Sequence, residues 1–321
     1  MRTFLSTAIL IVGLVAGAEP AVAQQYPVKA VRIVVGFAPG GINDIVARLI
    51  GQKLNEALGQ PFVVENRAGA GGTIGADFVA KAKPDGYIVL LGSVSNIVIA
   101  TNQYRLPYDP QKDFAPVSLV AAAPNILVVY PSLPVHTLKD LIALARKHPG
   151  EISFSSAGNG ASGHLTGELL RVMTGINVVH VPYKGDAPAM TAVIAGEIPF
   201  HFAVLPVALP HIKAGRLRAI VVSSAKRTAL APEVPTAAES GLPGFEVSVW
   251  VGLLAPTGTP AAIVERLHQE AAKATRTVDI REKLAVQGVE PVGSSPSEFA
   301  AVINTDMAKW RKVAKAAGIT P

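Results

Sequence analysis

The sequence predicts an α/β protein of two domains around a hinged cleft, and three observations carry that expectation. Short β-branched runs alternate with helical patterns along most of the chain, the signature of parallel sheets covered on both faces. Two extended apolar runs, 119–130 and 247–255, are longer than an average strand and lie far apart in the chain. The 321 residues exceed one average domain, and a composition 50% hydrophobic and 16% charged supplies a globular core and excludes a wholly disordered chain.

In order, Val31 to Val35 reads as a strand, 36–41 as a glycine turn, and Ile45, Leu49, Ile50 and Leu54 as one helix face. Phe62 to Val64 repeats the strand, 69–72 the glycine turn, Ile74 to Ala82 the helix, and Tyr87 to Leu91 the next strand. After the first long run, a helix is expected over Leu138 to Lys147, then a second strand-turn-helix series from Ile152. That series continues through Val178 to Val181, a helix from Pro188 to Ala195, and strands at Phe200 to Phe202 and Ala219 to Val222. The second long run precedes two helices, Pro260 to Thr275 and Pro296 to Ala316. If each long run crosses a boundary, residues 24–122 and 250–321 form a discontinuous first domain and 123–249 the second. The C-terminal helices are then expected to close over the first domain, leaving a cleft between two parallel sheets whose loop ends face one another.

The first 23 residues read as an export signal. Arg2 precedes the apolar run Phe4 to Val15, and Ala21-Val22-Ala23 has the small-x-small pattern of a cleavage site, so the mature chain is expected to begin at Gln24 in the periplasm. The apolar run is shorter than the roughly 20 residues needed to span a bilayer. With no cysteine, the chain has no disulfide, thiolate nucleophile, Cys-ligated metal or lipidated N-terminal cysteine. The net charge of +6 comes from scattered Lys and Arg with only 6% aromatics, which suits small anions and argues against nucleic acid as a partner.

Two glycine loops carry the binding chemistry. In 36–44 the glycines let backbone approach a ligand, and Ile42-Asn43-Asp44 is expected to cap the following helix and offer its first-turn amides to an anion. The same device recurs from Ser155 to His164. Ser93, Ser95 and Asn96 follow a strand end where a parallel sheet presents its binding edge, although the same side chains also cap helices. Arg67 is expected to pair with Glu65, Trp250 to pack in the hinge, and Tyr183-Lys184-Gly185-Asp186 to form a turn that brings the tyrosine hydroxyl to the cleft.

Other chemistries fail on their residues. Residues 158–163 match G-x-G-x-x-G, but no acid ends the next strand to hold a ribose, so no nicotinamide cofactor is expected. No glycine loop continues as a P-loop, and G-x-S-x-G is absent. The seven histidines lack H-x-x-x-H and dense carboxylate partners, so no metal site is expected; Ser162 and His164 read as polar lining and His201 as a satisfied core residue.

At these residues the sequence resembles the Bug, or TctC-like, extracytoplasmic solute receptors of tripartite tricarboxylate transporters. The resemblance runs through F-x-P-G-G-x-x-D at Phe37 to Asp44, Val63 to Arg67, Pro84 to Tyr87, Leu106 to Pro110 and Ser156 to Gly160. It continues through His180 to Gly185, Leu209 to Ile212, Val234 to Thr236 and Leu253 to Pro256. It implies a type II periplasmic binding protein, a Venus flytrap that captures a carboxylate on backbone amides and delivers it to a membrane permease. By position, Phe37, Ala38, Gly40, Gly41, Asn43 and Asp44 would form one jaw, and Ala157, Gly158, Asn159, Gly160 and Ser162 the other. Members usually read Gly-x-Val-Asp-x-x-Phe-Asp where this chain reads 196–203, ending in Ala203. Loss of that acid disfavours an amino-acid ligand and leaves room for a second carboxylate or an apolar or aromatic tail. The expectation is a non-enzymatic receptor for a small mono- or dicarboxylate. An exported enzyme acting on a small organic acid and a receptor-fold sensory partner stay open on the sequence alone.

Overall fold

The computed structural model describes residues 26–159, 161–286 and 288–319; the expected export signal falls outside them. In β1 (Val31–Val35) every residue but Arg32 is buried, so the strand needs cover on both faces. α1 (Ile42–Leu58) supplies it with Val46, Ile50 and Leu54, one helical turn apart. Gly59 ends that helix at φ 70°, its N–H bonded to the Asn55 carbonyl. β2 (Phe62–Asn66), α2 (Thr73–Ala80) and β3 (Ile88–Ser93) complete the unit. β1 lies between β2 and β3 in parallel register, Val31 opposite Phe62 and Arg32 opposite Ile88.

The two long apolar runs are strands that hold the molecule together. β4 (Phe114–Val129) pairs antiparallel with β9 (Ser248–Pro256) as far as Pro124. From Asn125 onward it pairs antiparallel with β7 (Phe200–Val204) and β8 (Arg218–Val222) instead. β9 is also antiparallel to β3. Two separate parallel sheets were expected; the strands instead follow one hydrogen-bonded path, β2-β1-β3-β9-β4-β7-β5-β6. The reason is that both crossings are fully extended and bond to each other as well as to their flanks.

The second series repeats the first. β5 (Ser153–Ser156) is parallel to both β6 (Val179–Pro182) and β7. α4 (Leu138–Lys147), α5 (Ser162–Thr174), α6 (Asp186–Ile194) and α7 (Leu205–Lys213) connect them. α8 (Ala261–Arg276), α9 (Val278–Val286), the two-residue β10 (Glu290–Pro291) on β4, and α10 (Pro296–Ala317) follow. α9 and β10 have no counterpart in the sequence reading, because only Ile280 and Leu284 of α9 are buried and no apolar stripe announces it.

α10 was expected to cover the first domain alone, and it spans both sides of the crossing. Asp306 accepts the Trp250 indole N–H at 2.8 Å, and Trp250, fully buried, meets Phe299 edge-on at 5.2 Å. Lys309 Nζ donates to the Glu246 carbonyl (2.9 Å) and Arg171 of α5 to the Ala316 carbonyl (3.1 Å). Trp250 is thus a packing residue within the crossing strand. Its replacement by alanine removes a buried indole and leaves Asp306 short of a donor, so Trp250→Ala is expected to destabilise the mature protein by about 3 to 5 kcal/mol in urea unfolding.

Candidate functional site

The loop after β1 is shaped by close backbone contacts. A Cβ on Gly36 would overlap the Gly72 carbonyl oxygen, and one on Gly75 would lie 2.8 Å from the Gly36 Cα, so the two glycine turns nest. Gly40, at φ 85° and exposed, donates its N–H to Asp44 Oδ2 at 3.0 Å. Asp44 also accepts from Arg48 Nε (3.0 Å) and Nη2 (2.9 Å) and from Asn66 Nδ2 (3.0 Å), while Asn66 reaches back to the Phe37 carbonyl at 3.1 Å. The forked Arg48 contact, aided by the Gly40 amide, holds the buried Asp44 carboxyl down at about 2.

Asp44 is therefore a brace for the loop, with its oxygens committed. Nor do Ile42-Asn43-Asp44 cap α1: the cap is Gly41, without a side-chain hydrogen bond, because Asp44 has turned to the Gly40 amide. The first-turn amides are left without a side-chain acceptor, beside exposed Ala38, Gly40 and Gly41 and half-buried Phe37. Asn43, in that first turn, is 8% exposed, and its Nδ2 has no hydrogen-bond partner. Ser93 and Asn96 take the capping alternative at α3 (Val94–Ile97): Asn96 Oδ1 accepts the Ser93 N–H at 2.8 Å, and Asn96 Nδ2 donates to the Gly72 carbonyl at 3.3 Å. Ser95 is half-buried.

The loop after β5 is built differently. Ser156 Oγ accepts the Gly158 N–H at 3.1 Å and lies 2.6 Å from His180 Nε2. The Ser156 and Ala157 carbonyls accept from Tyr183 N (3.0 Å) and Gly185 N (3.1 Å), which ties this loop to the turn expected at 183–186. Gly158, at φ 130°, has the Tyr183 carbonyl 3.2 Å from any added Cβ. Asn159 is exposed, and Gly160 falls outside the described residues. α5 starts on Ala161, again without a side-chain cap, and a Cβ on Gly163 would overlap the Phe202 carbonyl oxygen, so the helix sits directly on β7. Ser162 turns to Asn125 Oδ1 at 3.5 Å rather than to His164.

Ala203 is not at the loop surface. It is fully buried in an apolar cluster with Ile126, Met190, Leu205 and Val222, against which Tyr183 packs, so an acid here would enter the core at a cost of several kcal/mol. Arg67 pairs with Glu65 at 2.6 Å as expected and lies 3.6 Å over the Phe78 ring. His201 Nδ1 donates to the Ser155 carbonyl at 2.7 Å and lies 3.2 Å from Ser155 Oγ; its Nε2 is 3.4 Å from Asp186 Oδ1 and is not hydrogen-bonded. Among the described residues, no group of three His, Cys, Asp or Glu is placed to hold a metal, and no helix is long and apolar enough to cross a membrane.

Sequence reasoning missed Arg48 and Asn66 behind Asp44, and the pairing of His180 with His164. Those two rings stack at 3.9 Å beneath the second loop, with Phe154 5.0 Å from His180. The D-x-x-x-R spacing from Asp44 to Arg48, one helical turn, was a readable signal for the first; nothing local announces the second.

A sequence profile for the tripartite tricarboxylate transporter family receptors matches residues 46–319. The chain belongs to that family, whose members are receptors and not enzymes, and its fold is that of the periplasmic binding proteins. BugT of Bordetella pertussis is 38% identical over 304 residues, covering 94% of this chain and 93% of its own. Among solved structures, Rhodopseudomonas palustris Rpa4515 with adipate is 40% identical at TM-score 0.77, covering 92% of this chain and 99% of its own. MatC from the same organism, with bound malate, is 34% identical at TM-score 0.73, covering 90% and 100%.

The histidine pair sets a pH dependence. Burial holds both His164 and His180 at about 4, below the ordinary 6.5, so the unfolded chain binds protons first as pH falls. Their contribution to stability is complete above about 6.5 and is lost between there and about 4. Melting temperature is expected to fall over that window, and less steeply in a His164→Gln/His180→Gln variant. The Asp44 contribution is lost only below about 4, which separates the two effects.

Proposed function

We propose that this protein is a periplasmic receptor that closes on a small organic carboxylate held between the 36–44 and 156–163 loops, and passes it to the membrane subunits of a tripartite tricarboxylate transporter. The observation that carries this reading is the pair of long helices, α1 and α5, that both begin at glycine loops with no side-chain cap. Each presents first-turn N–H groups and the positive end of a helix dipole, the arrangement that favours an anion. The adipate and malate found in two relatives are carboxylates of the expected size.

In this reading Phe37, Ala38, Gly40, Gly41 and Asn43 line the first jaw, with Asp44 bracing it from behind. Ala157, Gly158, Asn159, Gly160 and Ser162 line the second, with Tyr183 beside them and Ser93 and Ser95 at the floor. Asn43 contributes its unpartnered Nδ2 as a donor. Charge-assisted hydrogen bonds are each worth about 1.5 to 3 kcal/mol net, so a few of them with apolar burial reach the roughly 8 kcal/mol of a micromolar complex. Residues 24–122 with 250–321 would move as one body and 123–249 as the other, about the β4 and β9 crossings. The mature chain would begin at Gln24, a mass that intact spectrometry of the exported protein reads directly.

The deciding experiment is a thermal-shift panel on mature protein freed of ligand by unfolding and refolding. Di- and monocarboxylates are expected to raise the midpoint in proportion to ligand over Kd, and nicotinamide nucleotides to leave it unmoved. Upward shifts with nucleotides alone would overturn the reading. With the best acid of the panel, Asn43→Ala is expected to weaken binding by about ten-fold in calorimetry, the loss of one buried donor.

A further inference from the structure

A fully buried polar network lies at neither loop but at the crossing. Asn125 is the residue at which β4 exchanges β9 for β7 and β8, and it is fully buried. Its backbone is clasped by Ser223: the Asn125 N–H donates to Ser223 Oγ at 2.9 Å, and the Ser223 N–H donates to the Asn125 carbonyl at 2.8 Å. Ser223 also holds the second crossing. Its hydroxyl donates to the Val247 carbonyl at 2.6 Å, and its own carbonyl accepts the Val247 N–H at 2.9 Å, one residue before β9. Both passages of the chain between the two sides of the sheet thus meet on one serine.

The Asn125 side chain points the other way, to the helix that opens at the second loop. Its Nδ2 donates to Thr166 Oγ1 at 2.7 Å, Thr166 Oγ1 donates to the Ser162 carbonyl at 2.6 Å, and Ser162 Oγ lies 3.5 Å from Asn125 Oδ1. Ser162 and Thr166 are the first and second turns of α5, and Thr166 is fully buried. A buried amide in a largely apolar strand is costly unless both its ends are used, and here both are used on one helix.

We propose that Asn125 is a positioning residue that couples occupation of the second loop to rotation of the two bodies, by fixing the first turn of α5 to the point where β4 crosses. The inference rests on the carboxylate reading above. An anion drawn onto the α5 amides pulls on Ser162 and Thr166. Because these are bonded to Asn125, at the point where β4 enters their body and Ser223 holds the second crossing, that displacement is delivered at the hinge.

The absence of cysteine makes the test direct. Lys83→Cys and Lys213→Cys, exposed and on opposite sides of the crossing, take a donor and acceptor dye. Energy transfer then reads closure while calorimetry reads affinity, with adipate and malate as probes. Thr166→Val keeps the buried volume and removes the hydroxyl that receives Asn125; Thr166→Ser keeps it. Thr166→Val is expected to weaken binding about ten-fold, equivalent to about 1.4 kcal/mol, and to reduce the change in energy transfer even at saturation; Thr166→Ser restores both. Asn125→Leu is expected to act as Thr166→Val does. A Thr166→Val protein that binds and closes like the parent overturns the proposal and leaves the receptor reading standing. A parent protein that binds neither acid overturns both.

Discussion

The antiparallel pairing of β4 with β9 is the constraint from which the rest of the architecture follows. β4 runs from one side of the sheet into the other, and β9 starts opposite the point where it crosses, so the pair stands at the centre of the strand path. Such a pair tolerates twisting far better than stretching, since its hydrogen bonds run across the strands and rotate with them. The glycine loops hang from the ends of parallel strands on either side, so they inherit their separation from this pair.

A second consequence is the position of α10. A C-terminal helix packed on one side would leave the other free; here Trp250, Phe299 and Asp306 anchor it at the crossing, while Lys309 and Ala316 link it to Glu246 and Arg171 beyond. The exposed side-chain contacts of the latter kind are individually weak and salt-screened, whereas the buried aromatic anchor is not. Strong attachment at the crossing with weak attachment away from it is compatible with the proposed rotation of the two bodies.

Much of this was legible in the sequence, for identifiable reasons. β-branched runs, glycine turns and helical stripes act locally, so β1 and α4 were placed at their observed bounds. The two long apolar runs marked the crossings because no single covered strand needs that length. What the sequence did not disclose are facts of pairing. That β4 and β9 bond to each other, making one strand path of two expected sheets, depends on register. That Asp44 turns inward to Arg48 instead of capping its helix depends on which of two satisfiable acceptors wins. Ala203 read as a ligand position because it replaces an acid, yet alternation along β7 sends it to the apolar face with Ile126 and Met190. Asn125 was invisible for the opposite reason, a single polar letter inside a hydrophobic run whose partners lie 41 and 98 residues away.

The nesting of Gly36 against Gly72 and Gly75 limits how this protein can change over evolutionary time. Where backbone touches backbone, no side chain can be added without moving a strand. If this loop holds the carboxylate as proposed, that part of the cleft is closed to gradual modification. New preferences for the remainder of a ligand would then arise at positions that carry side chains, such as Phe37, Asn159 and Tyr183, with the anchoring chemistry handed down unaltered.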